Sequence, residues 1–231
     1  MLRLDNLSCS FDSFEANFNI KIAQTGIIGV VGRSGSGKST LLNLIAGFAQ
    51  PKSGTIFYQN SFLNALEPSE RDLSILFQSF NNFDHLTVFE NVILGIDPQM
   101  KKKSSNLIIV KDILKKLSLN IDINTPVNLL SGGEQQRVSI ARCLIRNKSM
   151  LLLDEPFNSL DPGLRKKLYE DILLMTKKAP NSLTLISSHL IDELRKITNA
   201  FIFLHQGKII GEKILSFQEL STNKYFKDYL K

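Results

Sequence analysis

The sequence predicts an α/β fold, with buried strands covered by helices on both faces, a β-rich opening and a helical insertion. Three observations carry this. Apolar and polar residues alternate through Leu2, Leu4 and Leu7 and again through Phe18, Ile20 and Ile22, the period-two pattern of half-buried strands. Short continuous apolar runs at 27–31, 150–153 and 183–186, separated by helical segments such as 163–176, read as parallel core strands. Between Ser79 and Leu130 the pattern changes to amphipathic helix, clearest over 107–117, where apolar residues recur three and four apart. The expectation is one domain over 1–231, with 79–130 as the inserted helical subdomain.

Bulk properties narrow the function classes. A chain of 231 residues with 43% hydrophobic and 22% charged composition can bury a sizeable core. No apolar run approaches the roughly 18 residues that cross a bilayer. The stretch from Met1 to Asn6 lacks the apolar character of a signal peptide, so the chain is expected to stay in the cytosol. Cys9 and Cys143 have no metal-ligand or redox-pair spacing and read as reduced thiols. The net charge of +6 favours meeting anions without identifying one. Its tightest cluster, Lys101-Lys102-Lys103 followed by Ser104 and Ser105, reads as a solvated loop, with a lipid or partner contact as the alternative.

Chemistry enters at Gly32-Arg33-Ser34-Gly35-Ser36-Gly37-Lys38-Ser39, which matches the P-loop pattern Gly-x-x-x-x-Gly-Lys-Ser/Thr. It lies after an apolar run and before Leu41-Leu42-Asn43-Leu44-Ile45, a stretch of good helix formers, and Thr40 is counted with Gly32 to Ser39 among the nucleotide-binding residues. Glycines there let backbone N–H groups turn toward phosphate oxygens, the helix start adds its positive dipole, and Lys38 supplies a point charge to the β- and γ-phosphates. Ser39 is placed to ligate Mg²⁺. Downstream, Asp154 and Glu155 follow the apolar run 150–153, at the carboxyl end of a strand where ligands of open α/β sheets bind. Asp154 is placed to hold Mg²⁺, and Glu155 to polarise the water that attacks the γ-phosphate. A third feature, Leu130-Ser131-Gly132-Gly133-Glu134, puts a second anion-binding nest at a helix start. One nucleotide has no use for two such nests from one face of one chain.

With these three motifs in order, the chain resembles the ATP-binding subunits of ABC (ATP-binding cassette) transporters over nearly its whole length. The fold class implied is a P-loop NTPase of ABC ATPase type, with an N-terminal antiparallel β-subdomain and an inserted α-helical subdomain. The resemblance implies ATP and Mg²⁺ as cofactors and a homodimer with two ATPs sandwiched between subunits. Ser131, Gly132 and Gly133 would then close over the γ-phosphate held by the opposite P-loop. Gln78 is similar to the glutamine that senses Mg²⁺ and the attacking water. Ser159-Leu160-Asp161 resembles the loop along the dimer seam, and His189 the switch histidine that contacts the γ-phosphate. Phe11 sits where the family places a ring on adenine, with Phe14 as competitor.

The closest form of the resemblance is to the ATP-binding subunit of bacterial thiamine importers. It is carried by 41–48, by 77–92 with His85-Leu86-Thr87-Val88, by 141–144 and 151–165, and by Leu94-Gly95-Ile96-Asp97-Pro98. This implies import of thiamine or its phosphates, integral membrane permease subunits docking at 80–88, and an extracytoplasmic substrate-binding protein. The place implied is peripheral, on the cytoplasmic face of the inner membrane, with no nucleic acid as partner. Another small-solute importer, or an exporter or lipoprotein-release system, stands as the alternative. A soluble ABC ATPase remodelling nucleic acid or ribosomes would be expected to show a long coiled-coil insertion or a second cassette. Two departures stand out: Glu134 replaces the glutamine the family most often carries, and no extra C-terminal regulatory domain is expected.

Overall fold

The computed structural model describes residues 1–11, 14–79, 81–158, 160–178 and 182–229, without the side chains of Phe11, Met175, Lys177 and Lys178. The chain opens with β1 (Leu2–Phe11), β2 (Phe14–Ile22) and β3 (Gly26–Val31), then α1 (Lys38–Ala46), β4 (Ser53–Tyr58), β5 (Ser61–Phe62) and β6 (Leu73–Leu76). A helical stretch follows, made of α2 (Val88–Ile93), α3 (Ser104–Lys116) and α4 (Gly132–Leu144). Alternation resumes with β7 (Met150–Asp154), α5 (Pro162–Lys178), β8 (Leu183–Ser187), α6 (Ile191–Leu194) and β9 (Ala200–His205). The last elements are β10 (Lys208–Ile209), β11 (Leu215–Ser216), α7 (Phe217–Thr222) and α8 (Lys224–Tyr229).

The strands form two regions of one curled sheet. β9, β3, β8, β7 and β6 run parallel in that order. β1 pairs antiparallel with both β2 and β4, and β10 joins this part to β9. As the alternation requires, Leu2, Leu4, Leu7, Phe18, Ile20 and Ile22 all turn inward. The runs at 27–31, 150–153 and 183–186 are core strands. The apolar run of β9, which also lies in the parallel part, stands outside the pattern singled out from sequence.

α1 lies between the antiparallel and parallel parts. Its Leu41, Leu42, Leu44 and Ile45 share one core with Leu4 and Ile56 on one side and Ile28, Val30 and Leu152 on the other. A helix enclosed in this way needs apolar side chains around most of its circumference. It ends at Gly47, and Arg71 donates to the carbonyls of Leu44 (3.0 Å) and Ile45 (2.7 Å), placing a cation on the helix's negative end. The opposite face of the parallel strands packs with α2 to α5, α7 and α8 in a second core. There α3 buries Val110, Ile113 and Leu114, the i, i+3, i+4 stripe read from 107–117.

α2 begins with a reciprocal cap, Thr87 with Glu90. Lys101, Lys102 and Lys103 are exposed loop, while Ser104 and Ser105 already belong to α3. Both cysteines are free and buried, and burial pushes the Cys143 thiol up to about 12, leaving it inert at neutral pH.

Candidate active site

β3 delivers the chain into the P-loop, and α1 begins at Lys38. Gly37 caps the helix at φ +102°, a left-handed conformation that side chains rarely adopt. At Gly32, a Cβ would stand 2.4 Å from the carbonyl oxygen of Leu204 on β9. The loop is pinned from the same side by the Gly207 N–H, which donates to the Ser36 carbonyl at 3.1 Å. Lys38 is buried and donates to the carbonyls of Gly32 (3.0 Å) and Arg33 (3.3 Å), with Glu155 Oε1 3.8 Å away. The first N–H groups of α1 have no intrahelical acceptor. Ser36 Oγ is buried with no hydrogen-bond partner among the described residues. Such a cradle fits a phosphate chain.

The cleft above it, of about 650 Å³, is lined by Ser34, Gly35, Gly37, Lys38, Ser39 and Thr40 from the P-loop side. Phe14, Gln78, Glu155, Asn158 and His189 complete the wall. Glu155 is 7% exposed and held at φ +50°, a strained conformation that persists only where surrounding bonds enforce it. Its N–H donates to the carbonyl (3.2 Å) and hydroxyl (3.0 Å) of Ser187. The same hydroxyl donates to Asp154 Oδ1, so one serine at the end of β8 holds the Asp154 carboxylate and the Glu155 backbone together. Asp154 is buried behind the lining. His189 faces Glu155 Oε2 twice, through Nδ1 at 3.0 Å and through its N–H at 3.3 Å. Ser39, Asp154 and Gln78 offer hydroxyl, carboxylate and amide oxygens, hard donors that suit Mg²⁺ held jointly with nucleotide phosphates.

The remaining sequence-expected residues lie elsewhere. Ser131, Gly132, Gly133 and Asp161 do not line this cleft. Ser131 and Gly132 are exposed at the start of α4, and a Cβ on Gly132 would meet nothing within 4 Å. Glu134 Oε2 accepts from the Ser131 N–H (2.9 Å) and hydroxyl (2.7 Å), and these bonds hold its carboxyl below the usual range. Asp161 Oδ1 accepts from the N–H groups of Gly163 and Leu164, both at 3.0 Å, and so caps α5. Arg33 turns its guanidinium away to the Asp228 carbonyl. The Phe11 backbone is in register with Phe14 in the pairing of β1 with β2, but its side chain lies outside the described residues, as do Ser159 and Phe80. It is Phe14 that lines the cleft, its ring against Gly37.

Several residues escaped the sequence reading. Buried Asn91 accepts from the Phe83 N–H (2.9 Å) and donates to the carbonyls of Phe83 and Thr87, shaping the loop after Gln78. Arg142 donates to Asn91 Oδ1 (3.2 Å) and to the Asn81 carbonyl (2.7 Å). Gln136, fully buried on α4, donates to the Pro156 carbonyl at 2.7 Å and ties that helix to the turn beside Glu155. No local pattern marks Arg142 or Gln136, because their partners lie far away in sequence, whereas Asn91 acts on nearby backbone and is fixed from afar by Arg142. Beside the loop lies a groove of about 680 Å³, lined among others by Phe48, Phe77, Phe83, Arg142 and Arg146.

A P-loop cleft that gathers Lys38, Glu155 and His189, with a second glycine-bearing helix start facing solvent, defines an ABC-type ATPase. The sequence profile of the family described as ABC transporter matches residues 16–158, and the chain belongs to that family as an ATP-hydrolysing subunit. Within the family it is closely related to the thiamine import ATP-binding protein ThiQ. That of Photobacterium profundum is 38% identical over 218 residues, 90% of each chain. ThiQ of Rhizobium meliloti is 37% identical over 210 residues, 91% of this chain and 88% of that one. Among solved structures, the dimeric ABC transporter cassette MJ0796 superposes with a TM-score of 0.79 at 28% identity, covering 91% of this chain and 97% of that one. The cassette MJ1267 does so with a TM-score of 0.82 at 25% identity, covering 100% and 98%. Among the described residues, no helix is long and apolar enough to cross a membrane.

Proposed function

We propose that the chain binds MgATP in the P-loop cleft and hydrolyses it, as one half of a homodimer, to drive import of thiamine or its phosphates. The observation that carries the ATPase reading is the convergence of Lys38, Glu155 and His189 on one cleft. In this reading the backbone from Gly32 to Thr40 cradles the phosphates and Lys38 neutralises their charge. Ser39, Asp154 and Gln78 hold Mg²⁺, which offsets the charge that develops on the phosphate oxygens. Glu155 orients the attacking water, and His189 positions Glu155 and reaches the γ-phosphate. Phe14, with Phe11 on the neighbouring strand, stacks on adenine. Ser131, Gly132, Gly133 and Asp161 complete the site of the opposite subunit, a reading supported by the exposure of Ser131, Gly132 and Asp161 and by the absence of all four from their own cleft.

The 79–130 insertion is the arm between nucleotide and membrane, and the groove at Phe77, Phe83 and Arg142 takes a cytoplasmic helix of the permease. The subunit thus works peripherally on the cytoplasmic face of the inner membrane. Thiamine as cargo is supported by the relatives named above, each itself called a thiamine import ATP-binding protein. Labelled-thiamine uptake in cells with the gene deleted and then restored tests this. Uptake that follows the gene supports thiamine, and unchanged uptake removes it.

A further inference from the structure

The C-terminal helix reaches back to the catalytic cleft. Phe226 is fully buried edge-on to Phe203, at 5.4 Å, and Tyr225 stacks on His205 at 4.5 Å. These rings fix α8 to β9, the strand beside β3, whose end becomes the P-loop. The last turn of α8 then makes two contacts very distant in sequence. The Asp228 carbonyl accepts from the Arg33 guanidinium, and the Tyr229 hydroxyl donates to the His189 carbonyl at 2.8 Å.

His189 stands between β8 and α6, where no strand or helix ladder holds the backbone. Its ring and N–H both face Glu155 Oε2, so the position of this one residue sets how the carboxylate is held. A tether on its carbonyl therefore acts on the carboxylate through a single residue. The tether is a dependable donor, because burial, with the nearby charge of Glu155, raises the Tyr229 phenol pKa and keeps it protonated. Tyr229 is absent from the lining of the cleft.

We propose that Tyr229 is a positioning residue for ATP hydrolysis, its hydroxyl tethering the His189 carbonyl so that the imidazole stays against Glu155. The proposal rests on the roles given above to His189 and Glu155. Small displacements of a catalytic group cost rate far more than binding, so the effect belongs in turnover.

The test is Tyr229→Phe, which removes the hydroxyl and keeps the ring that packs at 5.4 Å from Phe226. With the purified full chain, kcat is expected to fall about fivefold while KM for ATP stays within about twofold and Tm within about 2 °C. In a His189→Ala background, where the backbone carbonyl can still be held but the imidazole it positions is gone, the same substitution should cause little further loss. A Tyr229→Phe enzyme with parental kcat, beside a crippled His189→Ala enzyme, would overturn the tether and leave the reading of the site standing. Equal losses from Tyr229→Phe with and without His189 would also overturn it, since the hydroxyl would then act elsewhere. A fully active His189→Ala enzyme would overturn the assigned role and the tether with it.

Discussion

The two glycine-bearing helix starts, at Gly32 to Ser39 and at Leu130 to Glu134, are alike in sequence and opposite in structure. In the first, the glycines are demanded by the chain itself: Gly37 adopts φ +102° and Gly32 faces the Leu204 carbonyl with no room for a Cβ. Lys38 is buried and engaged by loop carbonyls. In the second, none of the described residues comes within 4 Å of a Cβ on Gly132, and Ser131 is occupied by Glu134. The P-loop is finished by folding, whereas the Ser131 nest is left facing solvent. A glycine that the fold does not itself require is what the proposed closure over an opposite subunit's nucleotide would use.

The largest expected effect breaks the first region chemically. Glu155→Gln should lower ATP turnover by about 10³-fold while leaving nucleotide binding in place, and Lys38→Ala should lose both, as read by phosphate release and nucleotide titration. Turnover surviving in Glu155→Gln would remove Glu155 from the mechanism. Next come the matched glycine substitutions. Gly32→Ala should destabilise the fold by about 1–3 kcal/mol through overpacking. Gly132→Ala should leave stability unchanged or raise it by up to about 1 kcal/mol, since alanine is the better helix residue. Its turnover and ATP-dependent dimerisation should nevertheless fall about tenfold. A drop in Tm as large as that of Gly32→Ala would erase the contrast.

Smaller effects sharpen it. Phe14→Ala should weaken ATP binding about tenfold through lost base stacking, and Phe11→Ala by less; the reverse ranking would move adenine to the other ring. The smallest change belongs to Glu134→Gln. The folded-state pKa of Glu134 is lowered, so its contribution is present above the ordinary glutamate value of about 4.3 and is lost as pH falls through the lowered value. Parent and variant should therefore differ in Tm by less than about 2 °C near neutral pH and converge in acid.

Much of the fold was legible because its signals are local. Alternation at Leu2 to Leu7, the apolar runs that became β3, β7 and β8, and the stripe that became α3 are patterns within a few residues, set by the geometry of strand and helix. The apolar run of β9 was as visible as these but was not singled out, and no such run carries a sign of which strands it will join. The same divide runs through the site. The P-loop and the Asp154-Glu155 pair are contiguous, so spacing alone exposed them. Ser187, which bonds the Asp154 carboxylate and the Glu155 backbone, and Arg142, which bonds Asn91 and the Asn81 carbonyl, act on partners that only folding brings near.

By itself, then, the sequence determined which short segments could hold phosphate and supply carboxylates, because a glycine-rich turn before a helix, or acids after a strand, need only adjacent residues. The tertiary structure alone decided what those residues face. It set Glu155 between Lys38 and His189, and placed Phe14 at the cleft. It turned Arg33 and Asp161 to other partners, and brought Tyr229 to the His189 carbonyl. Side-chain orientation depends on packing between distant segments, and that is fixed only when the whole sheet and its two cores close together.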